Sequence, residues 1–305
     1  MVAANSEHRA GFISLIGRPN AGKSTLTNAL VAQKIAITSS KPQTTRRAIR
    51  GIVHRPDAQL IMVDTPGLHR PRTLLGERLN DLVRETLLDV DVIAMCIPAN
   101  EKVGPGDKFI ATELQELRRG GRKKPFIAIV TKSDLVTPQA LATQLIAVDQ
   151  LAPWAEVIPV SAVSDFQIER LKDVLAKYVP ISPPLYPADA THDEDRDAII
   201  ADLVREEALE GVHDELPHSI NVVVEDIEPR ASNPDLLDVR VSIFVERDSQ
   251  KGIIIGRGGK RLKEIGTAAR LEIERKLGQR VHLDLRVKVA KEWQRDPRAL
   301  NRFGF

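Results

Sequence analysis

Cysteine is nearly absent: Cys96 is the one thiol in 305 residues. No disulfide can close within the chain, and a reducing compartment is expected. Cys96 falls in the apolar run DVIAMCIP, where a buried core thiol is the ordinary expectation. Aromatic residues are only 4% of the chain, which argues against a nucleic-acid reader built on stacking strand faces. No apolar run reaches the roughly 18–20 residues that span a bilayer. The opening MVAANSEHRA lacks the apolar stretch of a signal peptide, so a cytoplasmic location is expected. The seven histidines show no metal-ligand spacing, which argues against a structural zinc site.

Net charge is also small, at +2, but it is unevenly distributed. Thr191–Phe244 carries 4 Lys/Arg against 15 Asp/Glu, a net of −11. Val245–Phe305 carries 16 against 8, a net of +8. A basic block of this kind is a candidate footprint for a polyanion such as nucleic acid, with a solvated surface as the plainer reading.

What is present is an alternation. From residue 8 to 180, short β-branched runs (GFISLIG, AIRGIVHR, AQLIMVDT, DVIAMCIP, PFIAIVTK, EVIPVSA) alternate with stretches of helical length such as GDKFIATELQELRR. This predicts an α/β domain with a mainly parallel sheet and helices on both faces. Prolines and acids in VPISPPLYPADATHDEDRD predict a linker over 181–195. Residues 196–305 read as a separate α+β domain of order α–β–β–α–α–β, whose first helix is expected to run from EDRD to DEL.

GRPNAGKS, Gly17–Ser24, fits G-x-x-x-x-G-K-[ST] between a strand and a helix. Gly17 and Gly22 permit the tight turn through Arg18, Pro19, Asn20 and Ala21, whose main-chain N–H groups, lacking only at Pro19, can face phosphate oxygens. Lys23 supplies charge at the β/γ-phosphates, and the Ser24 hydroxyl is a Mg²⁺ ligand. Asp64-Thr65-Pro66-Gly67, followed by Leu68, closes the strand AQLIMV. Asp64 can hold Mg²⁺ through water opposite Ser24, and Gly67 lets a main-chain N–H approach the γ-phosphate. Thr131-Lys132-Ser133-Asp134 closes another strand. Asp134 can accept from guanine N1–H and its 2-amino group, which adenine cannot match. Lys132 can lie along the base, and Ser161-Ala162-Val163 can offer a main-chain N–H to O6. The expected nucleotides are GTP and GDP.

IIIGRGGKRLKEIG holds a second glycine loop. A dinucleotide fingerprint fails because Gly256 and Gly258 are followed by Arg261, and a second phosphate loop fails for want of G-K-[ST]. Gly256-Arg257-Gly258-Gly259 instead fits the G-x-x-G of a KH domain, which clamps single-stranded nucleic acid. Lys251, Arg257, Lys260, Arg261 and Lys263 add charge around it. A protein-docking surface and an adenine nucleotide site stay open as rival readings.

Together these blocks, with KPQTTRR, ELPHSINV and VHLDLRVKV, resemble the Era family of bacterial GTPases, of the TrmE-Era-Der-like class, over nearly the whole chain. The resemblance implies a slow Mg²⁺-dependent GTPase with a type II KH domain that binds 16S rRNA near its 3′ end and serves 30S subunit maturation. It implies Lys23, Thr45 and Gly67 as catalytic positions. It favours Thr45 as the switch ligand of Mg²⁺, with Thr44 as the alternative. It also implies K⁺ held by Asn20, a monomer, and at most a peripheral membrane contact. Three positions depart from the pattern. Thr131 replaces Asn, which puts the tie from this loop to the phosphate loop in question. Leu68 stands where Ras-like enzymes carry a water-orienting Gln. His218 stands where the family has Tyr, and no role is assigned to it.

Overall fold

Strands buried on both faces need apolar residues at successive positions, and the runs supply them. In the computed structural model, which describes residues 8–305 apart from 40, 42, 120–123 and 214–215, the first part of the chain forms β1 (Arg9–Ile16), α1 (Lys23–Val31), β2 (Ile49–His54), β3 (Ala58–Asp64), α2 (Leu74–Asp89), β4 (Val92–Pro98), α3 (Pro105–Arg119), β5 (Phe126–Thr131), α4 (Pro138–Asp149), β6 (Glu156–Pro159) and α5 (Ile168–Tyr178). Two residues of SSKPQTTRR, 40 and 42, thus lie outside the described residues.

The sheet order is β2-β3-β1-β4-β5-β6. All neighbours are parallel except β2, which pairs antiparallel with β3. Alternate residues of each strand feed two cores. Val92, Ala94 and Cys96 enter one with Leu26 and Leu30 of α1. Ile93, Met95 and Ile97 enter the other with Val83 of α2 and Ile110 of α3. Because β1 lies between β3 and β4, the strand order reverses there, and a crevice opens beyond the carboxyl ends of β1 and β3.

The chain divides into two compact units, and the first ends at Asp193. The stretch read as a linker therefore lies mostly with the first unit, as a strap along β2. Buried Gln59 holds it: Nε2 donates to the Tyr186 carbonyl at 2.9 Å, while Leu185 and Tyr186 N–H donate to Oε1 at 2.7 and 2.9 Å. Ile52 N–H donates to Thr191 O at 2.9 Å, and Arg50 pairs with Asp193 at 2.9 Å.

The second unit comprises Ser39–Thr44, Arg72–Glu77 and Glu194–Phe305. Its elements are α6 (Arg196–Leu209), α7 (Leu216–Ser219), β7 (Asn221–Arg230), β8 (Asn233–Val245), α8 (Asp248–Ile255), α9 (Lys260–Leu277), β9 (Arg280–Val289) and α10 (Pro297–Arg302). The expected single helix up to DEL is shorter. Asp195 caps it, accepting from Ala198 N–H at 2.7 Å, and it stops before Gly211, whose φ of 63° is left-handed. The sheet order is β7-β8-β9, with β8 antiparallel to β7 and parallel to β9. Its core joins Val239, Val241 and Ile243 to Val204, Ile254, Ile265 and Ile273 of the helices. Within this unit His218 Nδ1 stands 3.2 Å from Gln43 Oε1.

Candidate functional site

The turn between β1 and α1 depends on positive φ at Gly17 (152°), Asn20 (62°) and Gly22 (87°). A Cβ on Gly17 would lie 2.6 Å from the Cys96 carbonyl, so any side chain there would displace the loop from β4. Lys23 is buried, and Nζ donates to the carbonyls of Gly17 (3.2 Å) and Arg18 (3.0 Å). Burial pulls its ammonium below the ordinary lysine value, with Asp64 opposing the shift.

The three residues that the sequence assigns to Mg²⁺ stand together. Ser24 Oγ donates to Asp64 Oδ2 at 2.7 Å and lies 2.9 Å from Thr45 Oγ1, which is 3.4 Å from the same carboxylate oxygen. Thr44 points elsewhere, its hydroxyl donating to Lys41 O at 2.7 Å. Asp64 is fully buried, and burial pushes its carboxyl up to about 6 against the pull of Lys23, Ser24 and Thr45. Its Oδ1 is buried with no hydrogen-bond partner among the described residues. Three hard oxygens, one of them on a buried carboxylate with an unused lone pair, suit Mg²⁺.

Thr65 anchors the switch strand through its hydroxyl to Leu15 O at 2.8 Å. Gly67 lies against the phosphate loop so closely that a Cβ would sit 2.7 Å from Pro19 N. Leu68 N–H donates to Gly17 O at 3.2 Å, and its side chain is buried with Val83 and Leu87. Leu68 thus serves the core and offers nothing to a water.

Thr131 replaces Asn without losing the tie to the phosphate loop: its hydroxyl donates to Ala21 O at 2.7 Å. Lys132 turns the chain with φ 56°, and Ser133–Leu135 forms a single helical turn. Lys132 and Asp134 border a cavity of about 290 Å³ with Gly22, Thr131, Ala162 and Val163. Ser161 sits beside it, its hydroxyl accepting from Ser164 N–H at 3.1 Å. Sequence reading missed Thr25, Leu26, Leu135 and Val160 in this lining. All four adjoin the motifs, which is the signal that could have found them.

In the second unit, Gly256, Gly258 and Gly259 all have positive φ (72°, 61° and 76°). A Cβ on Gly256 would meet Arg261 Cβ at 2.7 Å, whereas those on Gly258 and Gly259 would face open space. The loop is therefore an accessible main-chain surface. It leads into α9, whose N-terminus has no side-chain cap and keeps its positive dipole end towards the turn, while Gly259 N–H donates to Gly256 O at 3.2 Å and Lys260 N–H to Arg257 O. Arg257, Lys260 and Lys263 are exposed, and Lys251 is half-buried on α8. Arg261 is a correction: its guanidinium donates to Ala208 O at 3.5 Å and to Glu210 O, at the negative end of α6. Its guanidinium ties α9 to the end of α6.

Beside the loop, α9 and β9 enclose a groove of about 640 Å³, lined by Lys263, Gly266, Thr267 and Arg270 on one side and His282 and Leu285 on the other. Sequence reading missed this wall. Its trace is Gly266, mid-helix, where a Cβ would come within 3.3 Å of Leu285. Phe244, the lone aromatic of β8, is covered by Phe303 at 4.8 Å and offers no stacking platform.

A family model described as 50S ribosome-binding GTPase matches residues 12–132, and a KH domain model matches 215–294. GTPase Era of Streptomyces coelicolor is 60% identical over 99% of this chain and 96% of that protein. GTPase Era of Mycobacterium avium is 58% identical over 98% of this chain and all of that one. Two solved structures align over 97% of the chain and 99% of theirs at 35% identity. One is Era with MgGDPNP and nucleotides 1506–1542 of 16S ribosomal RNA, at TM-score 0.93. The other is an Aquifex aeolicus Era variant bound to GDP·AlF4−, at TM-score 0.92.

Proposed function

Since the chain belongs to the Era family of GTPases, we propose that it hydrolyses GTP as a switch that governs binding of 16S rRNA, near its 3′ end, in small-subunit maturation. The observation that carries this reading is the presence in one chain of a closed Ser24–Thr45–Asp64 cluster and a glycine clamp beside an open groove.

Asp134 selects guanine by accepting its N1–H and 2-amino group, Lys132 flanks the base, and the main chain at Ser161–Val163 faces O6. Lys23, steadied by the Gly17 and Arg18 carbonyls, turns its remaining donor to the β/γ-phosphates. Ser24, Thr45 and Asp64 would hold Mg²⁺, which neutralises the charge that develops on the transferred phosphoryl group. Gly67 N–H senses the γ-phosphate and moves when it leaves. With Leu68 buried, no side chain at that position orients the attacking water, so intrinsic turnover is slow. Asn20, which the phosphate loop holds at φ 62°, would help to hold K⁺, which would supply the missing positive charge.

In the second unit, the open glycine turn and the positive end of α9 receive phosphates, Arg257, Lys260 and Lys263 add charge, and bases enter the α9–β9 groove. We place the protein in the cytoplasm as a monomer, peripheral to the membrane at most. No described helix is long and apolar enough to cross a bilayer.

The test is binding of a labelled single strand matching the 3′ end of 16S rRNA. Protein loaded with a non-hydrolysable GTP analogue should bind more tightly than the GDP form, because a switch requires unequal affinities. Binding should weaken steeply with salt, at about 0.7 in log K per log salt for each phosphate neutralised. The double variant Arg257→Asp/Gly258→Asp should abolish it. Equal affinity in both states would remove the switch, and no binding at low salt would leave a GTPase that docks a protein. Displacement of labelled GDP by ATP would reassign the base.

A further inference from the structure

Arg18 carries a positive charge in the first turn of the phosphate loop, where contact with the nucleotide is the obvious role. The guanidinium is engaged elsewhere. Nε donates to Asp107 Oδ1 at 2.8 Å, and Nη1 donates to Glu101 Oε2 at 3.1 Å. Asp107 is fully buried in the first turn of α3, and its other oxygen accepts from Gly104 N–H at 2.9 Å. The stem of Arg18 lies flat on the same turn: a Cβ on Gly106 would come within 2.6 Å of Arg18 Cδ. Pro105-Gly106-Asp107 is thus a seat for one arginine. The seat is itself anchored, since buried Gln144 of α4 donates to Pro98 O (3.0 Å) and Glu101 O (2.8 Å), and Ala99 N–H donates to Thr131 O at 2.7 Å.

The main chain of this arginine supports the site. Arg18 O and Gly17 O receive the Lys23 ammonium. Gly17 O also receives Leu68 N–H, and Pro19 is the wall on which Gly67 rests. A loop rich in positive φ has many alternatives to this shape, and a buried carboxylate paired with one guanidinium is costly to separate.

We propose that Arg18 is a positioning residue: clamped by Asp107 and Glu101, it fixes the phosphate-loop peptides that hold Lys23 and the switch glycine in register for the nucleotide. The inference rests on the GTPase assignment and goes beyond it. Two carboxylates already neutralise the guanidinium, so it does not act as a finger on the transferred phosphate. Its remaining nitrogen, Nη2, is buried with no partner among the described residues, which makes the split between KM and kcat decisive.

The test uses the full chain, with GTP turnover, release of fluorescent GDP and thermal melting measured for Asp107→Asn, Arg18→Met, Arg18→Lys and Glu101→Gln. Asp107→Asn and Arg18→Met should each raise KM and speed GDP release about tenfold, with kcat within about twofold. Arg18→Lys should recover part of the loss. Arg18→Met/Asp107→Asn should be no worse than Arg18→Met alone, because both break one clamp. Glu101→Gln, at the exposed end, keeps the buried pair and should shift KM in the same direction by less. A fall in kcat at unchanged KM would overturn the proposal and make Arg18 a catalytic residue. Unchanged KM and release in folded Arg18→Lys and Glu101→Gln, whatever the melting temperatures, would reduce the clamp to a structural contact. Wild-type protein without turnover would fail the GTPase assignment separately.

Discussion

The hydroxyl of Thr131 does the work that an Asn amide does elsewhere in the family pattern, because the Ala21 carbonyl lies within its short reach. Thr131→Val keeps the shape and removes the donor. Leaving that buried carbonyl unsatisfied costs about 1–3 kcal/mol, so GDP release should accelerate by tenfold or more in stopped flow, while Thr131→Ser should stay near wild type. Asp64 gives a pH dependence. Its carboxyl is raised from an ordinary 3.8 to about 6, so between those pH values the metal-free folded chain holds a proton that the unfolded chain has released. Ionised Asp64 therefore opposes folding above about pH 6, and that cost fades as pH falls from 6 towards 4. Mg²⁺ offsets the cost only where the carboxylate is ionised. In melts of the GDP-bound protein, the rise in Tm on adding Mg²⁺ should be larger at pH 7.5 than at pH 5.5, and an equal rise would remove Asp64 from the cation site. Cys96, buried and pushed up to about 12, should resist alkylation at pH 8 until the first unit unfolds.

At the scale of elements, what could be read from the sequence followed from local physics. The parallel strands declared themselves because burial on both faces leaves few polar positions to blur them, and the two glycine loops because positive φ confines the residue type. The strap and the groove needed tertiary information. Proline-rich composition reads as a linker whether or not it is docked. Its docking depends on Gln59, a polar residue in an apolar strand whose meaning appears only when Leu185 and Tyr186 arrive. The groove arises from α9 and β9 together, each of which reads as an ordinary amphipathic element. Arg261 was misread for a similar reason, since a basic residue beside a phosphate-binding loop looks like a ligand contact until the end of α6 is placed against it. The tail also takes its meaning from packing: Trp293 is fully buried, donates Nε1–H to Ser219 O at 2.9 Å, and meets the rings of Phe303 and Phe305. Trp293→Ala should destabilise the second unit by about 3–5 kcal/mol in chemical denaturation, and leave GDP affinity unchanged.

For the whole molecule, the two units have separate apolar cores, so a single unfolding free energy does not describe the chain. Calorimetry should resolve two transitions, with GDP and Mg²⁺ raising only the one that belongs to the first unit; one transition that moves as a whole would show a single cooperative block. The charge partition seen in composition also sharpens. Part of the basic block is paired within the second unit, as Arg270 with Glu274, Arg275 with Glu272, Arg286 with Asp284 and Lys288 with Glu225. Arg257 and Lys263 stay exposed around the glycine turn. That turn has a consequence for how information is read. A surface of bare glycine main chain and a helix end meets every nucleotide alike, because the sugar-phosphate repeat is the same at each step. It can therefore fix a strand's direction and spacing while remaining blind to its letters. On the proposed reading, a strand held there would advance by one nucleotide without penalty until its bases met the groove, so register would fall to the side chains that line it, Arg270 and His282 among them, and the glycines would act as a ratchet without teeth.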